Sequence, residues 1–233
     1  MNIKKTTGEI ISVINLSKTA KDIKIKLLDP IDFIAGSFVN VFIDINGEKV
    51  RRAYSISSSS CIKDTINLTI RLSPEGTMTP FFWNNNMIGR TVELMGPLGL
   101  NTVDKMKQNK IYLFGFGVGA GVVKSIADYF SKIKTIENIT IITGNRTEDE
   151  ILYKDYFDKL VKDFKNISVT YVVSRIHDGA KIPNGYIQDH IDGFDFNNSD
   201  VYICGGEASC NDLTNKIKSM NHDNCNFFIE SFH

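Results

Sequence analysis

From about residue 108 the chain changes rhythm, and this change limits its possible folds more than any other feature of the sequence. Before it come six short segments rich in Ile and Val: Gly8–Ser17, Asp22–Asp29, Phe38–Ile45, Lys49–Ser57, Thr65–Ser73 and Arg90–Gly96. Each has strand length and is followed by turn chemistry such as Asn46-Gly47, Pro74-Glu75-Gly76 or Gly96-Pro97-Leu98-Gly99. Regularly spaced short strands with turn signals between them predict an antiparallel β-barrel or sandwich. Thr79–Met87 is the only helical segment expected in this half.

After the change, strand alternates with helix. An apolar strand at Ile111–Phe114 leads through a glycine-rich turn to a helix over Val122–Lys132, with Val123, Ile126, Ala127 and Phe130 on one face. Strand Ile139–Thr143, helix Glu150–Phe164, strand Ile167–Val173, a looped segment, strand Val201–Cys204, helix Ala208–Met220 and strand Asn226–Ile229 follow. Such alternation predicts a parallel sheet covered by helices on both faces, with a ligand site beyond the carboxyl ends of its strands. The expectation is therefore a two-domain chain, a barrel over residues 1–102 and an α/β domain over 108–233. The polar stretch Asn101–Lys110 joins them.

Composition removes several classes of function. Lys+Arg and Asp+Glu both number 27, so no net field favours nucleic acid or an anionic membrane. The first ten residues hold two lysines with no apolar stretch of signal length behind them, and the longest nearly uncharged run, Ile111–Val123, stops at Lys124. A cytoplasmic protein without export signal or membrane span is expected. Cys61, Cys204, Cys210 and Cys225 are separated by 142, 5 and 14 residues, which matches neither zinc ribbons nor iron-sulfur runs, so no metal is expected and the thiols should be reduced.

Two groups of residues carry chemistry. In Arg52-Ala53-Tyr54-Ser55, strand alternation puts Arg52 and Tyr54 on one face and Ser55 on the other. An aromatic and a guanidinium on one surface suit a flat conjugated ring and a pyrophosphate. About twenty residues on, Gly76-Thr77-Met78-Thr79 opens the short helix, where backbone N–H groups and hydroxyls can meet an anion.

In the second half, Gly115-Phe116-Gly117-Val118-Gly119-Ala120-Gly121 stands between a strand and a helix, as a turn that approaches a pyrophosphate must. The next strand ends Thr143-Gly144-Asn145-Arg146 with no carboxylate, which counts against an ordinary Rossmann dehydrogenase. Ser174-Arg175 and Cys204-Gly205-Gly206 close later strands. Glycines there let a flat ring approach, and a small thiol can border it.

The order of these motifs, Arg-Ala-Tyr-Ser, a strand ending at Arg71, Gly-Thr-Met-Thr and Gly-Pro-Leu-Gly, resembles the flavin domain of the ferredoxin-NADP reductase superfamily. Ala35-Gly36-Ser37-Phe38 resembles the family's Pro-Gly-Gln-Phe turn. The resemblance implies FAD, with Arg52, Ala53, Tyr54 and Ser55 on the flavin, Arg71 and Gly76 to Thr79 at its pyrophosphate, and Ser55 near flavin N5. It implies NADPH or NADH as cosubstrate, held by Gly115, Gly117, Val118 and Gly119. Ser174 and Arg175 fall on the 2′-phosphate, with Arg146 adding charge, and Cys204, Gly205 and Gly206 beside the nicotinamide. Glu230 and Phe232 match the family's terminal acid and aromatic near the flavin, so Ser55, Cys204 and Glu230 are the catalytic candidates. The turn departs from the family's Ala-Gly-Gly-x-Gly-x-x-Pro at Phe116 and Val122. The implied activity moves hydride from nicotinamide to FAD and electrons on to ferredoxin, flavodoxin or a similar protein. Alternatives are an electron-transfer subunit of a larger complex, a free-flavin reductase, or a nucleotide sensor without turnover.

Overall fold

A computed structural model describes residues 2–175 and 182–232. The chain divides into two compact units, Met1–Thr102 and Val103–His233.

The first unit is an antiparallel sheet of six strands: β1 (Lys4–Asn15), β2 (Ala20–Leu27), β3 (Phe38–Ile45), β4 (Glu48–Ser55), β5 (Thr65–Arg71) and β6 (Thr91–Leu98). Their order is β4-β3-β6-β1-β2-β5. The outer strands are brought together by a bridge from Ile56 to Leu68, beside which the Ser57 N–H donates to the Asn67 carbonyl at 2.8 Å. This is the barrel that the strand spacing predicts. Its alternating residues explain the closure: Ile23 and Ile25, Val39 and Val41, Ile66, Leu68 and Ile70, Val92 and Leu94 all point into one buried core. Helix α1 (Met78–Asn84) adds Met78 and Phe82 to that core.

The second unit is a five-stranded parallel sheet: β7 (Lys110–Phe116), β8 (Asn138–Asn145), β9 (Ile167–Val173), β10 (Ser199–Gly206) and β11 (Cys225–Phe232), in the order β11-β10-β7-β8-β9. Helices α2 (Gly119–Phe130), α3 (Lys154–Asp163) and α4 (Glu207–Ser219) connect them. Phe114, Ile142, Val172 and Ile203 share one face with Cys210, Leu213 and Ile217 of α4. Gly115, next along β7, faces the other side, where a side-chain carbon on it would stand 3.1 Å from Val123 Cγ2 of α2. Helices therefore cover both faces. Strand order reverses between β7 and β10, where an open α/β sheet leaves a ligand crevice at its carboxyl edge.

One expected element starts later than its pattern implies. The helix predicted from Glu150 begins at Lys154, because Glu148–Glu150 is a 3-10 turn, Ile151 is extended, and Tyr153 has φ of 57°. Asp200, an acid with no signal of its own in the sequence, is fully buried in β10. Its Oδ2 accepts from the Lys107 and Gln108 N–H groups at 2.6 and 3.2 Å, and its Oδ1 from Asn226 Nδ2 at 2.8 Å. A buried carboxylate satisfied in this way anchors the segment entering β7 to the sheet.

Candidate functional site

In the first unit, β3 fixes the register of the Arg-Ala-Tyr-Ser strand: Val41 pairs with Arg52, Asn40 with Ala53, Val39 with Tyr54 and Phe38 with Ser55. Val50 and Tyr54 rest on the barrel core, and Arg52 lies between them on the same side, exposed, its Nη1 donating to the Arg51 carbonyl at 2.7 Å. Arg51, Arg52 and Ala53 form an exposed run on a strand whose partner β3 is largely buried. The strand therefore offers an exposed guanidinium two residues from a half-buried aromatic on the same side, which fits a flavin and its pyrophosphate. Ser55 is half-buried.

Burial pushes the Tyr54 phenol up to about 12, against the pull of the Arg52 guanidinium, which favours the ionised form. Because the folded value lies above the unfolded one, the tyrosine's contribution to stability is complete below pH ~10 and is lost as pH rises from there towards 12. Ultraviolet titration of wild type against Tyr54→Phe should show one phenol ionising late, and the Phe variant should lose less stability above pH ~10.

Arg71 ends β5 in solvent, and the turn after it closes with the Gly76 N–H donating to the Ser73 carbonyl at 2.9 Å. Thr79 Oγ1 accepts from the Ser73 N–H at 2.9 Å and donates to the Ser73 carbonyl at 3.1 Å, so this hydroxyl serves the turn. Met78 is 1% exposed, its side chain belonging to the core. What the segment can offer an anion is backbone, the Thr77 hydroxyl and the neighbouring Arg71. Helix α1 has no side-chain cap and no acid in its first turn.

In the second unit, parallel register gathers the candidates at one sheet edge. Gly115 pairs with Cys204, Phe116 with Gly144, Cys204 with Glu230, and Gly206 with Phe232. Beyond the end of β9, the Ser174 N–H donates to the Asn145 carbonyl at 3.0 Å and the Arg175 N–H to the Arg146 carbonyl at 2.8 Å. These bonds put Arg146 and Arg175 side by side. Both are exposed, and among the described residues neither guanidinium is in an ion pair.

The glycine turn is held close to the sheet. Gly117 has φ of 53° and donates its N–H to the Gly144 carbonyl at 3.0 Å. A side-chain carbon on Gly119 would collide with the Cys204 carbonyl oxygen. Helix α2, which starts here, has neither a side-chain cap nor an acid in its first turn, whereas α4 opens with Glu207. An uncapped, acid-free N-terminus at the switch point suits a phosphate. The buried Asn145 donates Nδ2 to the Thr143 carbonyl and hydroxyl at 3.3 and 3.2 Å, while its Oδ1 has no hydrogen-bond partner among the described residues. Sequence gave no sign of it, because the amide's burial comes from the chains packed around β8.

Cys204 is 2% exposed, and burial pushes its thiol well above the usual range, with the charges of Glu230 and Cys210 acting in the same direction. It stays a neutral thiol, able to border a ring but not to act as base or nucleophile. Glu230 and Phe232 are half-buried on β11. Gly205, with φ of +154°, is covered by Phe116: a side-chain carbon on it would stand 2.6 Å from Phe116 Cβ. Gly206 is exposed, with open space where its side chain would be, so the free approach to this strand end is at Gly206. Gly206→Ala should fold with unchanged stability but raise the KM for pyridine nucleotide severalfold, as thermal melts and steady-state kinetics would show.

Comparison with known proteins agrees with both halves. A family model described as oxidoreductase FAD-binding domain matches residues 7–102, and one described as oxidoreductase NAD-binding domain matches residues 113–213. The chain is 28% identical over 205 residues to the reductase component of phenol 2-monooxygenase from Pseudomonas sp. (strain CF600), covering 85% of this chain and 57% of that protein. It therefore spans little more than half the length of that relative. It is 32% identical over 191 residues to the electron transfer subunit of dihydroorotate dehydrogenase B (NAD+) from Fusobacterium nucleatum, covering 78% of this chain and 68% of that one. Among solved structures, a ferredoxin NADP+ reductase from Neisseria gonorrhoeae with bound FAD and NADP superposes with a TM-score of 0.83 at 17% identity, covering 94% of this chain and 92% of the other.

Proposed function

Because the chain belongs to the ferredoxin-NADP reductase superfamily of FAD- and NAD(P)-binding oxidoreductases, we propose that it oxidises NADPH or NADH and delivers the electrons to a separate acceptor protein. The acceptor is a ferredoxin, a flavodoxin or an oxygenase component, in line with the reductase component of phenol 2-monooxygenase to which the chain is similar. One observation carries the reading: the glycine turn, the paired arginines and the open Gly206 all lie at the carboxyl edge of one parallel sheet.

FAD, when bound, would supply the redox chemistry that links a hydride donor to an electron acceptor. The chain's residues bind and orient. Tyr54 and Ser55 would hold the flavin, Tyr54 through its aromatic ring and Ser55 through its hydroxyl. Arg52 and Arg71 would neutralise the flavin's pyrophosphate, and the Gly76–Met78 backbone would donate hydrogen bonds to it. In the second unit, the α2 N-terminus at Gly117, Val118 and Gly119 takes the cosubstrate's pyrophosphate. Ser174, Arg175 and Arg146 take a 2′-phosphate, which favours NADPH. Neutral Cys204 and open Gly206 border the nicotinamide without covering it. Glu230 and Phe232, paired in register with Cys204 and Gly206, bound the same strand end.

Steady oxidation of NADPH with ferricyanide, in protein reconstituted with FAD, tests this reading and excludes a sensor that binds nucleotide without turnover. A second reading, a subunit working only within a larger redox complex, is favoured by the similarity to the electron transfer subunit of dihydroorotate dehydrogenase B. Among the described residues no group of three or more His, Cys, Asp or Glu is placed to hold a metal ion, and no helix is long and apolar enough to cross a membrane. Isolation of the chain in a stable complex that alone turns over would select the second reading.

A further inference from the structure

Phe116 ends β7 at the switch point, between two glycines in one row across the sheet. Gly144 is its register partner on β8, and Gly205 lies next to it on β10. A side-chain carbon on Gly144 would stand 3.0 Å from Phe116 Cδ1, and one on Gly205 would stand 2.6 Å from Phe116 Cβ. At both neighbours, therefore, any side chain would crowd Phe116, and glycine leaves it room. Ile187, which would stand within 3.2 Å of the same added carbon on Gly144, belongs to the core cluster against which Phe116 packs. The ring remains half-exposed although it packs against the core of the α4 face.

On one side of the ring, along the row, lie the strand ends carrying Arg146 and Arg175; on the other lies Gly206. A dinucleotide whose phosphate end sits on the arginines and whose other end reaches Gly206 must cross Phe116. The phenyl group offers no hydrogen bond to a phosphate or ribose, but its flat apolar surface suits an aromatic heterocycle. We infer that Phe116 is a cosubstrate-binding residue, the apolar wall against which the nicotinamide ring is held beside Gly206. This rests on the assignment of the second unit as the pyridine-nucleotide site. It explains why bulk is present where the family's turn has glycine: Gly205 makes room for Phe116, and Phe116 provides the surface that the ring needs.

Calorimetric titration of the FAD-reconstituted protein separates the nicotinamide end from the phosphate end. NADP+ and NAD+ are compared with their fragments 2′-phospho-AMP and AMP, in wild type, Phe116→Leu and Phe116→Tyr. Leucine keeps apolar bulk over Gly205 but removes the flat face; tyrosine keeps the face. Phe116→Leu should weaken the dinucleotides about fivefold to tenfold and leave the fragments within about twofold, while Phe116→Tyr should bind all of them like wild type. Equal weakening of dinucleotides and fragments in Phe116→Leu, or no weakening of either, would overturn the inference and make the ring a packing element. Failure of wild type to bind any of the four ligands would instead remove the nucleotide-site assignment beneath it.

Discussion

Gly119→Ala should abolish reduction of the flavin by pyridine nucleotide while FAD stays bound. The added carbon would collide with the Cys204 carbonyl oxygen, and would stand 2.5 Å from the Cys204 carbonyl carbon and 3.0 Å from the Gly205 nitrogen. These are backbone atoms of a central strand, fixed by pairing to β7 on one side and β11 on the other, so no side-chain rotation relieves the clash. Either α2 moves off the sheet or β10 bends, and both displace the glycine turn proposed to hold the pyrophosphate. Overpacking of this kind costs about 3 kcal/mol. For a unit of this size that is a drop of about 10 °C in melting temperature. The first unit does not contain Gly119, so its flavin spectrum should survive. Melting curves and FAD absorbance on one sample check both halves of the prediction, and a variant that melts like wild type and is still reduced by NADPH would contradict it.

Arg175→Ala should weaken NADPH by about tenfold to hundredfold and NADH hardly at all. A charge-assisted hydrogen bond contributes ~1.5–3 kcal/mol, and the 2′-phosphate is what distinguishes the two cosubstrates. The structure provides the geometry: Arg175 and Arg146 are tied through backbone at 2.8 Å, both reach solvent, and neither is drawn into an ion pair among the described residues. Arg146→Ala should show a smaller loss of the same sign, since Arg175 remains. Comparison of kcat/KM for the two nucleotides in each variant is the test; equal losses on NADPH and NADH would remove both arginines from the phosphate site.

Much of the fold is legible in the sequence. Phe38–Ile45 and Ile167–Val173 form strands over the bounds their residues predict, because alternating or continuous branched apolar residues have few other ways to be buried. Glu150 was a poor helix start: the apolar Ile151 and Leu152 fit helical spacing, but both are buried by packing while the backbone is non-helical up to Tyr153. The bridge from Ile56 to Leu68 that brings the barrel's edges together joins segments on separate strands, and no local signal announces it. At the site, spacing placed the glycine turn and the arginines on strand ends. It could not tell which glycines leave room for a ligand. Gly119 and Gly205 make room for Cys204 and Phe116, whereas Gly206 is the open one, and that distinction exists only after the strands pair. The orphaned Asn145 Oδ1 and the buried Asp200 are hidden for the same reason, since burial is a property of neighbours far along the chain.

Two halves divide the labour, one proposed to hold a flavin and the other to present a nicotinamide. Anaerobic titration of the FAD-reconstituted chain with NADPH, followed through the visible flavin band, tests this most directly. The band should bleach with one equivalent of NADPH per bound FAD and return when an electron acceptor is added. A chain that takes up no FAD, or whose bound FAD stays oxidised under excess NADPH and NADH, would contradict it.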